Sequence, residues 1–191
     1  MRILATFPGR HGDLLWALPT VRALSEGHNT PADLVIAAEY GSLVPLLQHQ
    51  PYLGTVCADP AWQVQQSAPM TPREPPQIHR AYDHVYHLGY DGWPLAPLPD
   101  DTARRAGVEI DLQRPWVTAP SHDDHGGVVV GFTDEWFELK VGLWELLMRQ
   151  GPGWYSVSGR RGSRWQQEAG HPPTTWLEAA AWIAGAQVFL G

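Results

Sequence analysis

The sequence predicts an α/β protein in which helices cover a parallel sheet. Two observations support this fold class. Short runs of apolar and β-branched residues alternate with segments whose apolar residues recur at helical spacing. The alternation also starts again after a polar, turn-rich stretch at 119–127. Alternating strands and helices are typical of parallel sheets with helical crossovers, so we expect two α/β units in tandem.

The first part of the chain contains three predicted strands and two predicted helices. Asp13 stands where a helix N-cap is expected, and Gly27 is the predicted stop of that helix. Pro19 lies inside it and predicts a kink. In order, the predicted elements are strand 2–7, turn 8–12, helix 13–26, strand 33–38, helix 41–49 and strand 55–58.

The segment 61–79 differs from its surroundings because it is rich in Pro and Gln and has no clear period. It is predicted to be a long surface loop. The pattern then resumes with strand 82–88, a short helix at 100–107 and an extended segment at 115–118.

A polar stretch, 119–127 (APSHDDHGG), is the predicted linker, and we place the domains at 1–122 and 123–191. The second domain is predicted to contain strand 128–132, helix 141–150, strand 154–158, helix 175–184 and strand 188–190. The sequence stops on that last strand, where an open α/β sheet would carry a ligand-binding loop.

Composition excludes several classes of protein. The formal net charge is -7 and Lys and Arg do not cluster into a run, so the chain has no electrostatic basis for nucleic-acid binding. A single cysteine, Cys57, excludes an intramolecular disulfide and favours the cytoplasm. The N-terminus lacks the features of a signal peptide, and no stretch approaches the apolar length of a membrane span.

The first strand, loop and helix carry a recognisable set of motifs. Residues 3–24 (ILATFPGRHGDLLWALPTVRAL) contain Gly-Asp at 12–13, Leu-Pro at 18–19 and Ala-Leu at 23–24. In this order they resemble the opening of the family 9 glycosyltransferases, the bacterial heptosyltransferases. Weaker similarity to the same family follows along the chain at 33–47, 49–53, 128–147 and 176–191.

The resemblance implies a GT-B-like fold, in which two Rossmann-like domains flank a cleft. This sequence would cover the first domain and about half of the second, so the second domain would be incomplete. It further implies a metal-independent, inverting transferase without a cofactor. Such an enzyme moves a heptose-like sugar from a nucleotide-diphosphate donor, such as ADP-heptose, to a saccharide or glycolipid acceptor in lipopolysaccharide biosynthesis. A glycolipid acceptor would bring the protein into peripheral contact with a membrane surface.

Glycosyl transfer without a metal needs a base for the acceptor hydroxyl and positive charge or N–H groups for the leaving diphosphate. The resemblance assigns the base to Asp13, whose alternative role is that of a helix cap. The loop before it supplies the expected acceptor-binding residues. Gly9 and Gly12 would let the backbone approach substrate, and Arg10 and His11 would bind anionic groups, unless the loop is an ordinary solvated turn.

In the second domain, the resemblance assigns Lys140 to the donor diphosphate and Thr133 to a donor phosphate, the alternative for Lys140 being a solvated lysine at a helix start. No metal site is expected. The four potential ligands at 122–125 are adjacent residues of a linker, which rarely converge on one ion. His84 and His87 are three residues apart on a predicted strand and tend toward opposite faces.

Two other functions remain open at this stage. The chain could be a non-catalytic module of the same fold that binds a glycan or a partner protein. A dinucleotide-dependent enzyme is disfavoured, because the loop at 9–13 (GRHGD) lacks the three spaced glycines of that fingerprint.

Overall fold

A computed structural model describes residues 1–63, 75, 82–89, 96–122, 128–130, 154–156, 175–185 and 188–190. The chain divides into two compact units, Met1–Thr118 and Ala119–Gly191. The second unit begins at the first residue of the predicted linker. The acceptor-side and donor-side roles expected of the domains 1–122 and 123–191 stay predictions.

The first unit is built on a sheet of four strands, every neighbouring pair of which is parallel. This confirms the parallel sheet predicted from the sequence. The four strands are β1 Ile3–Phe7, β2 Ala32–Ala37, β3 Leu53–Asp59 and β4 His84–His87. Their order in the sheet is β3-β2-β1-β4.

The first helix, α1, spans His11–His28 and is longer at both ends than predicted. Its N-cap is Arg10, in an extended conformation and without a side-chain cap, so the N-cap position expected for Asp13 is wrong. Asp13 is instead the third residue of the helix. At the other end, Asn29 adopts the left-handed conformation at φ 51° and ends the helix two residues after Gly27. Asn tolerates this conformation better than most residues, so it can terminate a helix as glycine does.

The remaining helices of the first unit are short. A 3-10 helix, Ala38–Leu43, runs directly into α2, Val44–Gln48, where the sequence predicts one helix at 41–49. The helix α3 spans Leu98–Ala106 and ends at Gly107, whose φ of 69° suits glycine.

The helix α1 is held between the sheet and α3. Its apolar face buries Leu14, Leu18 and Leu24, each at most 2% exposed, and each buried side chain of this kind stabilises the fold by about 1.5–3 kcal/mol. On its other side, the Thr20 and Thr102 hydroxyl oxygens lie 2.8 Å apart in a buried hydrogen bond between α1 and α3. The sheet and α3 therefore fix the position of α1.

In the second unit, three short strands form a parallel sheet in the order β6-β5-β7. They are β5 Val128–Val130, β6 Trp154–Ser156 and β7 Val188–Leu190. The helix α4, Trp176–Ala184, precedes β7 and begins with a capping box between Thr175 and Glu178. A Rossmann-like identity for this unit stays a prediction.

Several predicted features lie outside the described residues: the helix 141–150 and most of the loop 61–79. In the part of the chain that is described, no helix combines the length and the apolar character needed to cross a membrane.

Candidate functional site

The strand order reverses its direction at β1, which makes a topological switch point there. From β1 the chain moves outward to β2 and then β3, and it returns to place β4 on the other side of β1. Ligands of open α/β sheets bind outside the carboxyl ends of the strands at such a reversal. The segments that follow β1, β2 and β4 therefore border the candidate site.

The loop after β1 contains two glycines with different surroundings. A Cβ added to Gly9 would collide with the ring of Phe7, which is 1% exposed, whereas a Cβ at Gly12 would meet nothing within 4 Å. The missing side chain at Gly9 thus permits tight packing of the loop onto the end of β1. At Gly12 there is open space next to Asp13.

His11 joins the loop after β1 to the 3-10 helix after β2. Its Nε2 lies 3.0 Å from the Ser42 hydroxyl oxygen. Its ring meets the Tyr40 ring edge-to-face, with centroids 5.1 Å apart and planes at 89°. These contacts arise because β1 and β2 are paired in parallel as far as Phe7 and Ile36, so the segments after them emerge at the same edge of the sheet. Burial lowers the pKa of His11, which favours the neutral imidazole.

Tyr40 is a buried phenol whose pKa responds to three charged residues of this edge. Its side chain is 7% exposed. Burial raises the pKa of its hydroxyl, the negative charges of Glu39 and Asp13 raise it further, and the positive charge of Arg10 opposes them. The Asp13 carboxylate and the Arg10 guanidinium therefore both act on the same phenol.

On the other side of β1, Thr6 and His87 face each other across the paired strands β1 and β4. The Thr6 hydroxyl oxygen lies 2.8 Å from His87 Nδ1. His84, by contrast, stacks on His28 with ring centroids 4.8 Å apart. The two histidines of β4 therefore have separate partners.

The sequence analysis placed Gly9, Arg10, His11, Gly12 and Asp13 in one site, and the structure holds them in one loop and the first turn of α1. Thr133 and Lys140 lie outside the described residues. Sequence reasoning missed Thr6, Tyr40, Ser42 and His87. Thr6 and His87 lie in the last two residues of β1 and β4, and Tyr40 and Ser42 lie in the 3-10 helix that follows β2. The pairing of these strands was needed to bring them together.

This edge offers a carboxylate and an imidazole, which can accept a proton, and a phenol and a guanidinium, which can donate hydrogen bonds to a polar substrate. Among the described residues, no group of three or more His, Cys, Asp or Glu side chains could hold a metal ion.

The comparisons with known proteins show which fold the chain has. No protein-family model matches the chain, and no curated protein matches it. A crystal structure of TibC, an iron-containing dodecameric glycosyltransferase from enterotoxigenic E. coli H10407, is similar to it with a TM-score of 0.55 and 16% identity. A second TibC structure, described as a heptosyltransferase in complex with ADP-D-beta-D-heptose, has a TM-score of 0.52 and 16% identity.

Each match covers 98% of this chain and 52% of the TibC chain, so the chain spans about half the length of these neighbours. The chain has a glycosyltransferase-like α/β fold.

Proposed function

We propose that this protein is a glycosyltransferase that moves a heptose-like sugar from a nucleotide-diphosphate donor to a saccharide or glycolipid acceptor. The observation that carries the proposal is the position of Asp13. It stands in the first turn of α1, at the carboxyl end of β1 and beside the open space at Gly12. The solved neighbour with ADP-heptose bound supports a nucleotide-sugar donor for this fold.

In the proposed reaction, Asp13 acts as the general base. Its carboxylate takes the proton of the acceptor hydroxyl while the acceptor oxygen bonds to the anomeric carbon of the donor sugar. The bond from that carbon to the diphosphate breaks on the opposite face, so the configuration inverts and the nucleoside diphosphate leaves with the electron pair. Positioned donors and positive charge stabilise such a leaving group, and we assign Lys140 and Thr133 to that task.

The acceptor-binding role that we assign to Arg10 and His11 has a physical basis in the described contacts. The His11 ring is fixed by Ser42 and Tyr40, so it presents a defined surface at the start of α1. Arg10 is exposed and precedes the helix, where its guanidinium can reach an anionic group of the acceptor. These two residues would orient the acceptor hydroxyl toward the base.

The test is transfer from ADP-heptose by the protein as its source produces it, with its intact mass measured first. Asp13→Ala and Asp13→Asn should lower kcat by about 10²–10⁴-fold while changing the melting temperature little. The matched control is Glu39→Gln, since Glu39 is another carboxylate acting on Tyr40 that the proposal leaves out of the chemistry.

Full activity in Asp13→Ala would overturn the assignment of the base. Glycan binding without any affinity for ADP-heptose would contradict the transferase and favour a non-catalytic glycan-binding module.

A further inference from the structure

Two tryptophans on the first unit form an aromatic pair, in which Trp16 is exposed and Trp116 is partly buried. Trp16 projects from α1 and is 46% exposed. Its ring lies against that of Trp116, with centroids 5.4 Å apart and planes tilted by 36°. Large aromatic surfaces are costly to leave in water, so a pair held at the surface suggests a ligand. In the described part of the chain, the other exposed large hydrophobic residues are Met1, Leu112 and Ile183.

The pair lies next to the candidate site. On a helix, residues three and four positions apart share a face and have Cβ atoms about 5–6 Å apart. Trp16 is therefore on the same face of α1 as Asp13 and Gly12. Gly12 has no side chain, and the space that one would occupy is open. No side chain at residue 12 therefore separates the Trp16 ring from the first turn of the helix.

Buried polar side chains hold the backbone that carries Trp116, a segment without regular structure at 111–118. Arg22 is 5% exposed and donates to the backbone carbonyl oxygens of this segment. Its acceptors are Asp111 at 3.0 Å, Arg114 at 3.3 Å and Pro115 at 2.8 Å.

The other end of the segment is bound just as firmly. The Tyr52 hydroxyl donates to the Trp116 carbonyl oxygen at 2.5 Å. Gln50, only 1% exposed, accepts from the Thr118 backbone N–H at 2.6 Å and donates to its carbonyl oxygen at 3.1 Å. Because Trp116 lies between these anchors, its ring is pre-positioned against Trp16. A surface ordered before binding loses less entropy when a ligand arrives.

We propose that Trp16 and Trp116 form a platform on which a pyranose ring of the saccharide acceptor stacks. The proposal rests on the transferase function above. A pyranose has an apolar C–H face and a rim of hydroxyls, and an indole offers an apolar face with an N–H at its edge. A ring stacked on Trp16 lies one helical turn from Asp13, so a hydroxyl on its rim, or on the next sugar unit, reaches the base.

Acceptor binding can be measured directly by saturation-transfer NMR with a lipid-free, heptose-containing core oligosaccharide as the probe. The full chain should bind it, Trp16→Ala should weaken binding by about tenfold, and Trp16→Phe should restore most of the affinity because it keeps a flat ring. The matched control is Leu112→Ala, which removes an exposed hydrophobic side chain from the same segment and should leave binding unchanged.

The platform would be overturned by no binding of the oligosaccharide to the unaltered chain, by equal binding to Trp16→Ala, or by an equal loss in Leu112→Ala. If ADP alone binds in a manner that depends on Trp16, a nucleobase is the occupant, and this result would also overturn the platform.

The failure of the transferase proposal has a different signature. If the oligosaccharide binds in a Trp16-dependent manner but ADP-heptose neither binds nor is consumed, the platform is upheld and the transferase is not.

Discussion

The Thr6 hydroxyl oxygen and His87 Nδ1 lie 2.8 Å apart, although 81 residues separate them in the sequence. This contact joins the last residue of β4 to the register partner that faces it on β1. A second bond, from the Leu88 backbone N–H to the Thr6 carbonyl oxygen at 2.9 Å, extends the pairing beyond the strand. Together these two bonds hold β4 against β1 at the switch point where the candidate site lies.

Replacing Thr6 by Val should lower the free energy of unfolding by about 1 kcal/mol, because the shape is kept while a buried hydroxyl that bonds to His87 is lost. Thr6 is 1% exposed, so water cannot take its place. Urea unfolding measures the change. The control Thr55→Val, at an exposed position of β3, should stay within about 0.5 kcal/mol of the parent. Equal stability of the two variants would refute a net contribution of the Thr6–His87 bond.

Gly9→Ala should destabilise the protein by about 1–3 kcal/mol, because the added methyl group forces the buried Phe7 ring out of its position. Gly12→Ala makes the same chemical change where a Cβ meets nothing within 4 Å, and it should be neutral or slightly stabilising within the helix. Thermal unfolding of the two variants gives the comparison. If Gly12→Ala is as unstable as Gly9→Ala, the loss of stability comes from adding any side chain to this loop and not from the contact with Phe7.

The stability of the protein should fall as the pH is lowered through the range of His11 titration. Burial lowers the pKa of His11 in the folded state, so the unfolded chain binds more protons as the pH drops below about 6.5. The contribution of His11 is therefore present above that pH and is lost on acidification. Urea unfolding at pH 7.5 and 5.5 should show a smaller loss for His11→Gln than for the parent protein.

The control for this effect is His49→Gln, which removes an exposed histidine and should keep the pH dependence of the parent. If His11→Gln shows the full loss between pH 7.5 and 5.5, the dependence comes from other groups.

Asp101 should stabilise the packing of α3 at neutral pH. Burial raises the pKa of this carboxyl, but hydrogen bonds from Arg105 at 2.8 Å and Arg104 at 2.5 Å, with their charges, outweigh burial and leave the pKa lowered. Asp101→Asn should therefore cost about 1–3 kcal/mol at pH 7. A carboxyl whose pKa is lowered on folding contributes its full stability above the pKa of the unfolded chain and loses it as the pH falls through the folded pKa, so the difference should shrink below about pH 4.

Denaturant unfolding at pH 7 and pH 3 tests this prediction, with the exposed neighbour Asp100→Asn as the control. A deficit for Asp101→Asn that persists unchanged at pH 3 would contradict the role of its negative charge.

The sequence by itself determined the parallel sheet of the first unit and the loop that carries Gly12 and Asp13. Those features follow from local signals: apolar runs of strand length, helical spacing of apolar residues, and turn residues between them. It did not locate the ends of α1, because Arg10 and His11 were predicted to lie in the turn and the helix includes His11. Helix ends depend on packing against the sheet as well as on the capping residue.

Only the tertiary structure decided which residues contact His11 and Trp16. Tyr40 and Ser42 reach His11 because β2 pairs with β1, and Trp116 reaches Trp16 because Arg22, Gln50 and Tyr52 bind its segment. These contacts join residues 29 to 100 positions apart in the sequence. No period or local motif specifies such pairings, since they depend on strand order and on the burial of polar groups whose partners lie elsewhere in the chain.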